Sequence, residues 1–463
     1  MIGALLRNSF LSLMAALLVS CGGGGGGGGG AFLGASAPAS SGTSSAAGTA
    51  SPTGAGNGLG GIASDDGNAG ASGGSTASTA SASSSTSSAS STTASSGDDG
   101  SGVGSGGTGV STADATGVGS VDGAGSIIVN GLRYDTSTAE GAIEDAPNGL
   151  QLGMSAKVIG PVNADFTQGT ARRVESAADL RGPLTAVDLT RGSFVILGTT
   201  VTTDEATVWA DASGLAAIPA GRTLQVWGLP GAPGVLRATR VEQRDPSAPI
   251  VTGTVQNLDA TQRTFKLGGL AVDYSRAALS GSLYGEALAN GTIVRVRADA
   301  AGPGPLLATR VQWWYSLPTT EGARVQFAGI ITDFGGARSL RVLGISVDAS
   351  AAQITGGPAN AIGNGMRVDV GGNVSGGVLK ATRVKIRNVP GTGGPASFDL
   401  IGNVSSFTSP SDFRVKGQPV NAGGAGVVFT NGTAANLRNG VRVNIHGTQV
   451  VNGVLTAATV TFE

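Results

Sequence analysis

The sequence has very little of the chemistry on which most enzymes depend. Its 463 residues include one Cys and one His, and aromatic residues make up 4% of them. A metal site built from several Cys and His ligands is therefore excluded within one chain. The repeated part has no Gly-x-Ser-x-Gly nucleophile motif, and no Gly-Lys-Ser/Thr nucleotide-binding motif occurs. We predict no catalytic residue, no metal and no cofactor.

Acidic residues leave one enzymatic alternative open. Asp188, Asp259, Asp333 and Asp348 recur near predicted turns. Asp favours turns because its carboxylate accepts hydrogen bonds from the backbone nearby, and we prefer that explanation. An enzyme with a carboxylate site is the second alternative function.

The N-terminus lacks an apolar run long enough to cross a membrane as a helix. A short apolar stretch, residues 10–19, follows the single charge of Arg7. It ends in Leu18-Val19-Ser20-Cys21, which resembles the lipobox of bacterial lipoproteins. The resemblance implies a signal peptide over residues 1–21 and a lipid attached to Cys21. An ordinary signal peptide followed by a chance Cys is the alternative.

The residue after Cys21 bears on the destination of the protein. Gly22 stands where an Asp would give such lipoproteins the usual inner-membrane retention signal. We therefore expect an exported protein that is lipid-anchored to the bacterial outer membrane, on its periplasmic or its surface face. Lipid chains anchor a protein without a transmembrane helix.

Residues 22–116 lack basic residues and have almost no aromatic ones. Nine consecutive glycines open the segment, and no Lys or Arg occurs between Arg7 and Arg133. Such a chain cannot bury enough apolar area to offset the entropy of ordering. We predict a disordered Gly/Ser/Ala-rich tether with a root-mean-square reach of roughly 50–60 Å.

One phrase, Gly-Val-Leu-x-Ala-Thr-Arg-Val, recurs in the rest of the chain. Residues 234–241 and 377–384 match it in full, and other copies match it in part. The valine that ends each copy of the phrase marks five repeats, 67 to 76 residues apart: Val174, Val241, Val311, Val384 and Val460. Internal repetition of this kind indicates tandem modules.

Alternating apolar and polar residues predict β-strands in each module. Phe413 and Val415 point to one face, and Arg414 and Lys416 point to the other. One buried face and one wet face are typical of antiparallel sheets. A Gly after each alternating pair marks a turn, because Gly accepts a positive φ.

The alternation breaks inside the recurring phrase. Leu236 and Ala238 share a face, whereas Val241 falls on the opposite face. A β-bulge near Ala238-Thr239 would explain the change. A strand that is buried on both faces explains it equally well.

The predicted fold class is all-β, with five tandem small antiparallel β-barrel (OB-like) modules after the tether. A curled sheet of five or six short strands closes most economically as a barrel, which also removes its edges. An open sandwich is the alternative. The predicted modules span residues 117–181 (a divergent copy), 182–250, 251–325, 326–398 and 399–463.

Several of these phrases together resemble a known bacterial family. They are Gly253-Thr254-Val255, Phe265-x-Leu267-x-Gly269, Gly365-x-x-Val368-x-Val370-x-Gly372 and the recurring phrase at 377–384. The set resembles the domain of unknown function 5666, well over residues 182–463 and weakly over 117–181. The resemblance implies a small β module of envelope proteins, and it carries no activity.

Two sets of residues are candidates for ligand binding. A cationic stripe on outward strand positions would suit anionic glycans or lipid headgroups if the modules stack in register. Its members are Arg240, Lys266, Arg295, Arg297, Arg310, Arg341, Arg367, Arg383, Arg414, Lys416 and Arg442. The alternative is an ordinary solvated face. Trp313, Trp314 and Tyr315 would form either an aromatic platform for sugars or a contact between modules.

We predict a non-enzymatic cell-envelope lipoprotein with a structural, adhesive or ligand-binding role. Its expected partners are the membrane, through the lipid anchor, and a glycan, peptidoglycan or an envelope protein. The first alternative is a set of barrels that bind oligonucleotides or another anionic polymer. The export signal and the lack of a repeated aromatic residue on a basic face disfavour nucleic acid.

Overall fold

The described part of the protein consists of β-strands and short connections. The computed structural model describes residues 110–281, 287–388 and 397–463. The predictions for the signal peptide, for Cys21 and for most of the tether lie outside these residues. Within them no α-helix occurs, which confirms the all-β class, and no helix is long and apolar enough to cross a membrane.

The first repeat, copy 1, contains seven strands. They are β1 (Val110–Ala124), β2 (Ile127–Val129), β3 (Leu132–Asp135), β4 (Glu140–Ile143), β5 (Ser155–Asn163), β6 (Gln168–Thr170) and β7 (Arg173–Ser176). Strand β1 begins inside the segment that is predicted as the tether, residues 22–116. Its first part pairs with β5, with Asp114 opposite Pro161.

Copies 2 and 3 contain six strands each. Those of copy 2 are β8 (Leu180–Asp188), β9 (Ser193–Ile196), β10 (Thr199–Thr202), β11 (Val208–Trp209), β12 (Thr223–Pro230) and β13 (Val235–Arg244). Those of copy 3 are β14 (Ile250–Asp259), β15 (Thr264–Leu267), β16 (Leu270–Asp273), β17 (Ala278–Ser280), β18 (Ile293–Ala298) and β19 (Leu306–Trp313).

Copies 4 and 5 repeat the same six strands. Those of copy 4 are β20 (Arg324–Thr332), β21 (Leu340–Val342), β22 (Ile345–Asp348), β23 (Gln353–Thr355), β24 (Arg367–Ser375) and β25 (Val378–Asn388). Those of copy 5 are β26 (Phe398–Ser409), β27 (Asp412–Val415), β28 (Gln418–Asn421), β29 (Val428–Thr430), β30 (Arg442–Val451) and β31 (Val454–Phe462). One-turn 3-10 helices lie at Leu215–Ala217, Ala359–Ala361 and Ala434–Asn436.

The strands of each copy pair in the same ring. In copy 2, β8 pairs with β9 and β9 with β10, both antiparallel. Strand β10 then runs parallel to β13, and β12 pairs antiparallel with both β13 and β8. The other copies have equivalent pairings, and in copy 1 the last strand is divided into β6 and β7.

The recurring phrase forms the last strand of the ring and contains the predicted bulge. Trp227 of β12 pairs with Arg240 and the next residue pairs with Ala238, so Thr239 is the extra residue. Its hydroxyl donates a 3.1 Å hydrogen bond to the Trp227 carbonyl. The Thr residues at the same position of copies 3 and 4 donate in the same way. The bulge near Ala238-Thr239 is therefore confirmed.

The copies share sheets with one another. Among the described residues the strands join in two sheets, one of nineteen strands from copies 1, 4 and 5 and one of twelve strands from copies 2 and 3. Strand β1 runs parallel to β20 and to β26, and β8 pairs antiparallel with β14. The copies are thus stacked in a solenoid-like manner, and the expectation of five separate barrels is corrected, because strand pairing continues from one copy to the next.

The apolar cores also cross the boundaries between copies. One cluster contains Leu180 of copy 2 and Val311 of copy 3, so these two copies share a core. A second cluster belongs mainly to copy 4 and includes Val118 of copy 1 and Leu229 of copy 2. Because these clusters contain side chains from more than one copy, their burial stabilises the arrangement of the copies as well as the fold of each copy.

Candidate functional site

The arginine of the recurring phrase contacts copy 1 from three different copies. This arginine is Arg240 in copy 2, Arg310 in copy 3 and Arg383 in copy 4. Their partners in copy 1 are the Leu152 carbonyl at 3.0 Å, the Glu144 carboxylate at 3.5 Å and the Asp165 carbonyl at 3.1 Å, respectively. Copy 5 has Thr459 at this position. The repeated arginine is therefore a residue of the junctions between copies.

A buried carboxylate, Asp179, lies where copies 1, 2 and 3 meet. Its side chain accepts hydrogen bonds from Arg295 Nη2 at 2.8 Å and from Trp314 Nε1 at 2.7 Å. It also accepts from Ser155 Oγ at 2.7 Å and from the Gly228 amide at 2.8 Å. Burial would lower the pKa of Arg295, but Asp179 raises it above the usual range. Arg295 therefore stays charged in the interior.

The predicted aromatic platform is divided between the surface and this junction. Trp314 and Tyr315 are buried, whereas Trp313 is half-buried at the end of β19. The Tyr315 hydroxyl accepts a hydrogen bond from the Ala177 amide and donates one to the Ser155 carbonyl, both at 3.1 Å. The two buried rings thus belong to the contact between modules, which was the alternative to a sugar platform.

A second junction carboxylate, Asp145, joins copy 1 to copies 2 and 3. It lies 2.6 Å from Arg181 of β8 and 2.5 Å from Arg297 of β18. Burial alone would raise the pKa of Asp145, but Arg297 and Arg181 outweigh this effect and lower the pKa to about 2. The carboxylate is consequently ionised at any pH near neutrality.

Copy 4 is joined to copy 1 by a third charged group. Arg387 Nη2 donates to Asp122 at 2.8 Å, and Arg387 Nε donates to Asp369. Burial would lower the pKa of Arg387, but the two carboxylates raise it. Nearby, Arg367 donates a 2.6 Å hydrogen bond to the Ser120 hydroxyl of copy 1.

The residues of the predicted cationic stripe do not share one exposed face. Three are buried: Arg240, Arg295 and Arg367. Four are half-buried: Arg297, Arg310, Arg383 and Lys416. Four are exposed: Lys266, Arg341, Arg414 and Arg442. The prediction of an exposed stripe is wrong for the buried members, because residues of copy 1 cover these outward positions of copies 2, 3 and 4.

Three of the stripe residues do come together in a cleft between copies 1, 2 and 5. The cleft has a volume of about 580 Å³. We call it the basic cleft, after the four basic residues that line it: Arg240, Arg244, Arg414 and Lys416. Arg244 was not part of the predicted stripe. The acidic residues of its lining are Asp211 and Glu242.

The walls of the basic cleft come from three copies that are fixed to one another. Strand β13 of copy 2 contributes Arg240 and Arg244, and the turn between β27 and β28 of copy 5 contributes Lys416. The last hairpin of copy 5 donates a 2.9 Å hydrogen bond from the Gly453 amide to the Trp209 carbonyl of copy 2. Residues 146–152 of copy 1 form the remaining wall.

Lys416 occupies a position that is a leucine in copies 2 and 4, Asn130 in copy 1 and Gly268 in copy 3. A Cβ added to Gly402 would lie 2.9 Å from Lys416 Cε, so the stem of this lysine crosses the glycine. In copies 2 and 4 the same place over a first-strand glycine is taken by Leu197 and Leu343. The ammonium group of Lys416 has no hydrogen-bond or ion-pair partner within residues 110–281, 287–388 and 397–463.

Comparison with protein families identifies the repeats. The family model of the domain of unknown function DUF5666 matches residues 181–242, 252–312, 328–385 and 401–461. These four segments make up a little over half of the chain. The chain belongs to this family. No curated protein matches the chain.

Copies 2 to 5 are thus the DUF5666 segments, and copy 1 lies outside the matched residues. Copy 1 nevertheless pairs its strands in the same ring as the DUF5666 copies. It differs from them where it supplies the junction residues Asp122, Asp145 and Glu144. The sequence analysis did not predict a role for these acids. Their absence from the other copies is the one feature of the sequence that could have pointed to it.

The DUF5666 copies show no cluster suited to a metal ion in the described part. No group of three or more His, Cys, Asp and Glu side chains lies close enough there to hold one. His446 of copy 5 lies 3.1 Å from Asp399 at the surface. This pair has no counterpart in the other copies, since His446 is the one His of the chain.

Proposed function

We propose that the protein is a non-enzymatic scaffold of the cell envelope in which the five copies act as one rigid body. The observation that carries the proposal is the burial of charged groups at junctions between copies that are distant in sequence. Asp179 and Arg295 are 0% and 1% exposed and lie 2.8 Å apart. An ion pair of this kind holds its partners in one geometry, because separating them would leave a buried charge unpaired.

Within this scaffold, each copy would be a small OB-like barrel. The order of pairing around the ring is first, second, third, last and penultimate strand, and the penultimate strand returns to the first. A five-stranded Greek-key barrel closes in this way. The additional pairing between copies then stacks the barrels side by side.

The use of the charged residues supports a structural role. Most of the buried charges at the junctions are satisfied by one another, as in the group of Arg387, Asp122 and Asp369. Catalytic acids and bases, in contrast, must face a substrate. A scaffold of this kind would present its outer faces to peptidoglycan, to another glycan or to an envelope protein.

A lipid on Cys21 would attach the scaffold to the outer membrane, and the segment 22–109 would separate the folded body from the lipid surface. Fractionation of cells tests this part of the proposal. The Cys21→Ala variant should move from the membrane fraction to the soluble fraction, while the unchanged protein stays with the membrane. A variant that remained membrane-bound would exclude lipid anchoring.

The rigidity of the body can be measured between two spin labels. Leu307 of copy 3 and Val428 of copy 5 are 66% and 57% exposed, so labelled cysteines there should not disturb the fold. The Cys21→Ala background supplies a chain without other thiols. Pulsed electron paramagnetic resonance should give one narrow distance distribution.

A pair of labels within copy 3, at Leu279 and Leu307, is the matched control. For a rigid scaffold, the distribution between copies 3 and 5 should be about as narrow as the distribution within copy 3. A broad distribution between copies beside a narrow one within copy 3 would show that the copies move independently.

A further inference from the structure

We propose that the basic cleft binds a small ligand that carries a phosphate group. The proposal goes beyond the scaffold role and does not depend on it. It rests on the charge of the cleft, on the unpaired ammonium group of Lys416 and on the size and lining of the cleft.

The basic cleft has more positive than negative charge. Glu242 accepts hydrogen bonds from Arg240 at 2.7 Å and from Arg244 at 2.5 Å, so its one negative charge is shared by two arginines. Arg414 donates to the Gly417 carbonyl at 2.9 Å, and no carboxylate in the described residues pairs with it. With Asp211 and Glu242 as the acids and four basic residues, the lining has two positive charges in excess.

Lys416 is the residue that distinguishes this cleft from an ordinary junction. Copies 2 and 4 place a leucine at the same position, where it covers a first-strand glycine. Lysine covers the Gly402 backbone with its stem as the leucines do, but it also brings an ammonium group to the cleft. A cation without a protein partner in the lining of a cleft favours an anion there.

The excess charge indicates which anion fits. A phosphomonoester carries about 1.5 to 2 negative charges near neutral pH, whereas a single carboxylate carries about 1. Arginine side chains bind phosphate oxygens with two parallel hydrogen bonds, and lysine adds a point charge. A phosphate group therefore matches the cleft better than a carboxylate does.

The size and lining define the rest of the ligand. A volume of about 580 Å³ lies within the roughly 300–1,000 Å³ of small-molecule sites. No aromatic ring of the described residues lines the cleft, so these walls offer a sugar no stacking. They offer the apolar side chains of Leu150, Leu152, Met154 and Pro419. The phosphate would belong either to a soluble compound or to the headgroup of a lipid.

Titration calorimetry with inorganic pyrophosphate tests the proposal on the full-length Cys21→Ala chain. Lys416→Gln keeps the stem over Gly402 and removes the charge, so it should fold and should weaken binding by about tenfold or more. Lys416→Glu should abolish binding. Lys266→Gln is the matched control, since it removes an exposed cation outside the cleft, and it should leave the affinity within about twofold.

Vesicles distinguish the two sources of phosphate. A lipid headgroup is the ligand if the protein binds vesicles that contain phosphatidic acid but not vesicles of phosphatidylcholine alone. In that case Lys416→Gln should weaken binding to the vesicles that contain phosphatidic acid. Pyrophosphate binding without vesicle binding assigns the site to a soluble phosphate compound. Binding of neither probe, or equal weakening by Lys416→Gln and Lys266→Gln, would overturn the proposal.

Discussion

The carboxylate of Asp179 and the guanidinium of Arg295 form an ion pair in the interior, 116 residues apart in the chain and 2.8 Å apart in space. Asp179 precedes the first strand of copy 2, and Arg295 lies in β18 of copy 3. Such a pair adds little net stability relative to apolar residues of the same size, but removing one of its two charges is strongly destabilising. It therefore fixes one arrangement of the copies.

The first prediction concerns the charge of Asp179. The Asp179→Asn substitution keeps the shape of the side chain and leaves Arg295 charged in the interior without its partner. We expect a loss of about 3–5 kcal/mol in the free energy of unfolding, measured by urea denaturation. Asp245→Asn is the control, because Asp245 is 95% exposed in its contact with Arg222, and it should change the stability by less than about 0.5 kcal/mol.

The second prediction concerns the hydroxyl group of Tyr315. In the Tyr315→Phe variant the buried amide of Ala177 loses its hydrogen-bond acceptor. We therefore expect the free energy of unfolding, measured by urea denaturation, to fall by about 1–3 kcal/mol. Tyr274→Phe is the control, because it removes the hydroxyl of another buried tyrosine. That hydroxyl has no hydrogen-bond partner among the described residues. Equal effects of the two substitutions would contradict the assigned role of Tyr315.

The third prediction concerns the repeated bulge. The Thr239→Ala variant loses the hydrogen bond to the Trp227 carbonyl and should be less stable by about 1 kcal/mol. Thr239→Ser retains a hydroxyl and should recover most of the loss. Copy 5 has Ala458 at the same position. If Ser and Ala at position 239 were equally destabilising, the hydroxyl would not contribute.

Repeats, strand positions and the bulge could be predicted because they depend on local patterns. The alternation around Phe413 and Val415 reports which side of a strand is buried, and it does so in each copy. The sequence could not show what covers the other side. Arg295 occupies an outward position of its own copy, and it is buried where copies 1, 2 and 3 meet.

The acidic residues of the junctions could not be predicted, because they belong to no repeated pattern. Asp179 lies in a linker, and Asp145 lies in the copy that departs most from the family. These departures gain a physical explanation in the structure, since copy 1 contacts copies 2, 3, 4 and 5 and supplies acidic side chains to the contacts with copies 2, 3 and 4. The basic cleft depends on the same packing.

The fourth prediction concerns the dependence of the free energy of unfolding on pH. The pKa of Asp145 in the folded protein is about 2, below its ordinary value of 3.8. A depressed carboxyl pKa stabilises the folded state above the unfolded pKa and loses this effect as the pH falls through the folded pKa. The contribution is at most about 2 kcal/mol, because solvent screens part of the interaction.

The matched measurement compares the free energy of unfolding of the unchanged protein and of Asp145→Asn at several pH values. The difference should be constant from pH 7 to about pH 5 and should shrink between about pH 4 and pH 2. A difference that did not change over that range would exclude the ionised carboxylate as its source.

The central claim is that the five copies fold and unfold as one body. Differential scanning calorimetry of the full-length chain tests it most directly, because two-state unfolding gives equal calorimetric and van't Hoff enthalpies. The account predicts one transition with a ratio of the two enthalpies near one, and a single transition at lower temperature for Asp179→Asn. Several separate transitions, of which Asp179→Asn shifts only one, would show that the copies are independent and would contradict the account.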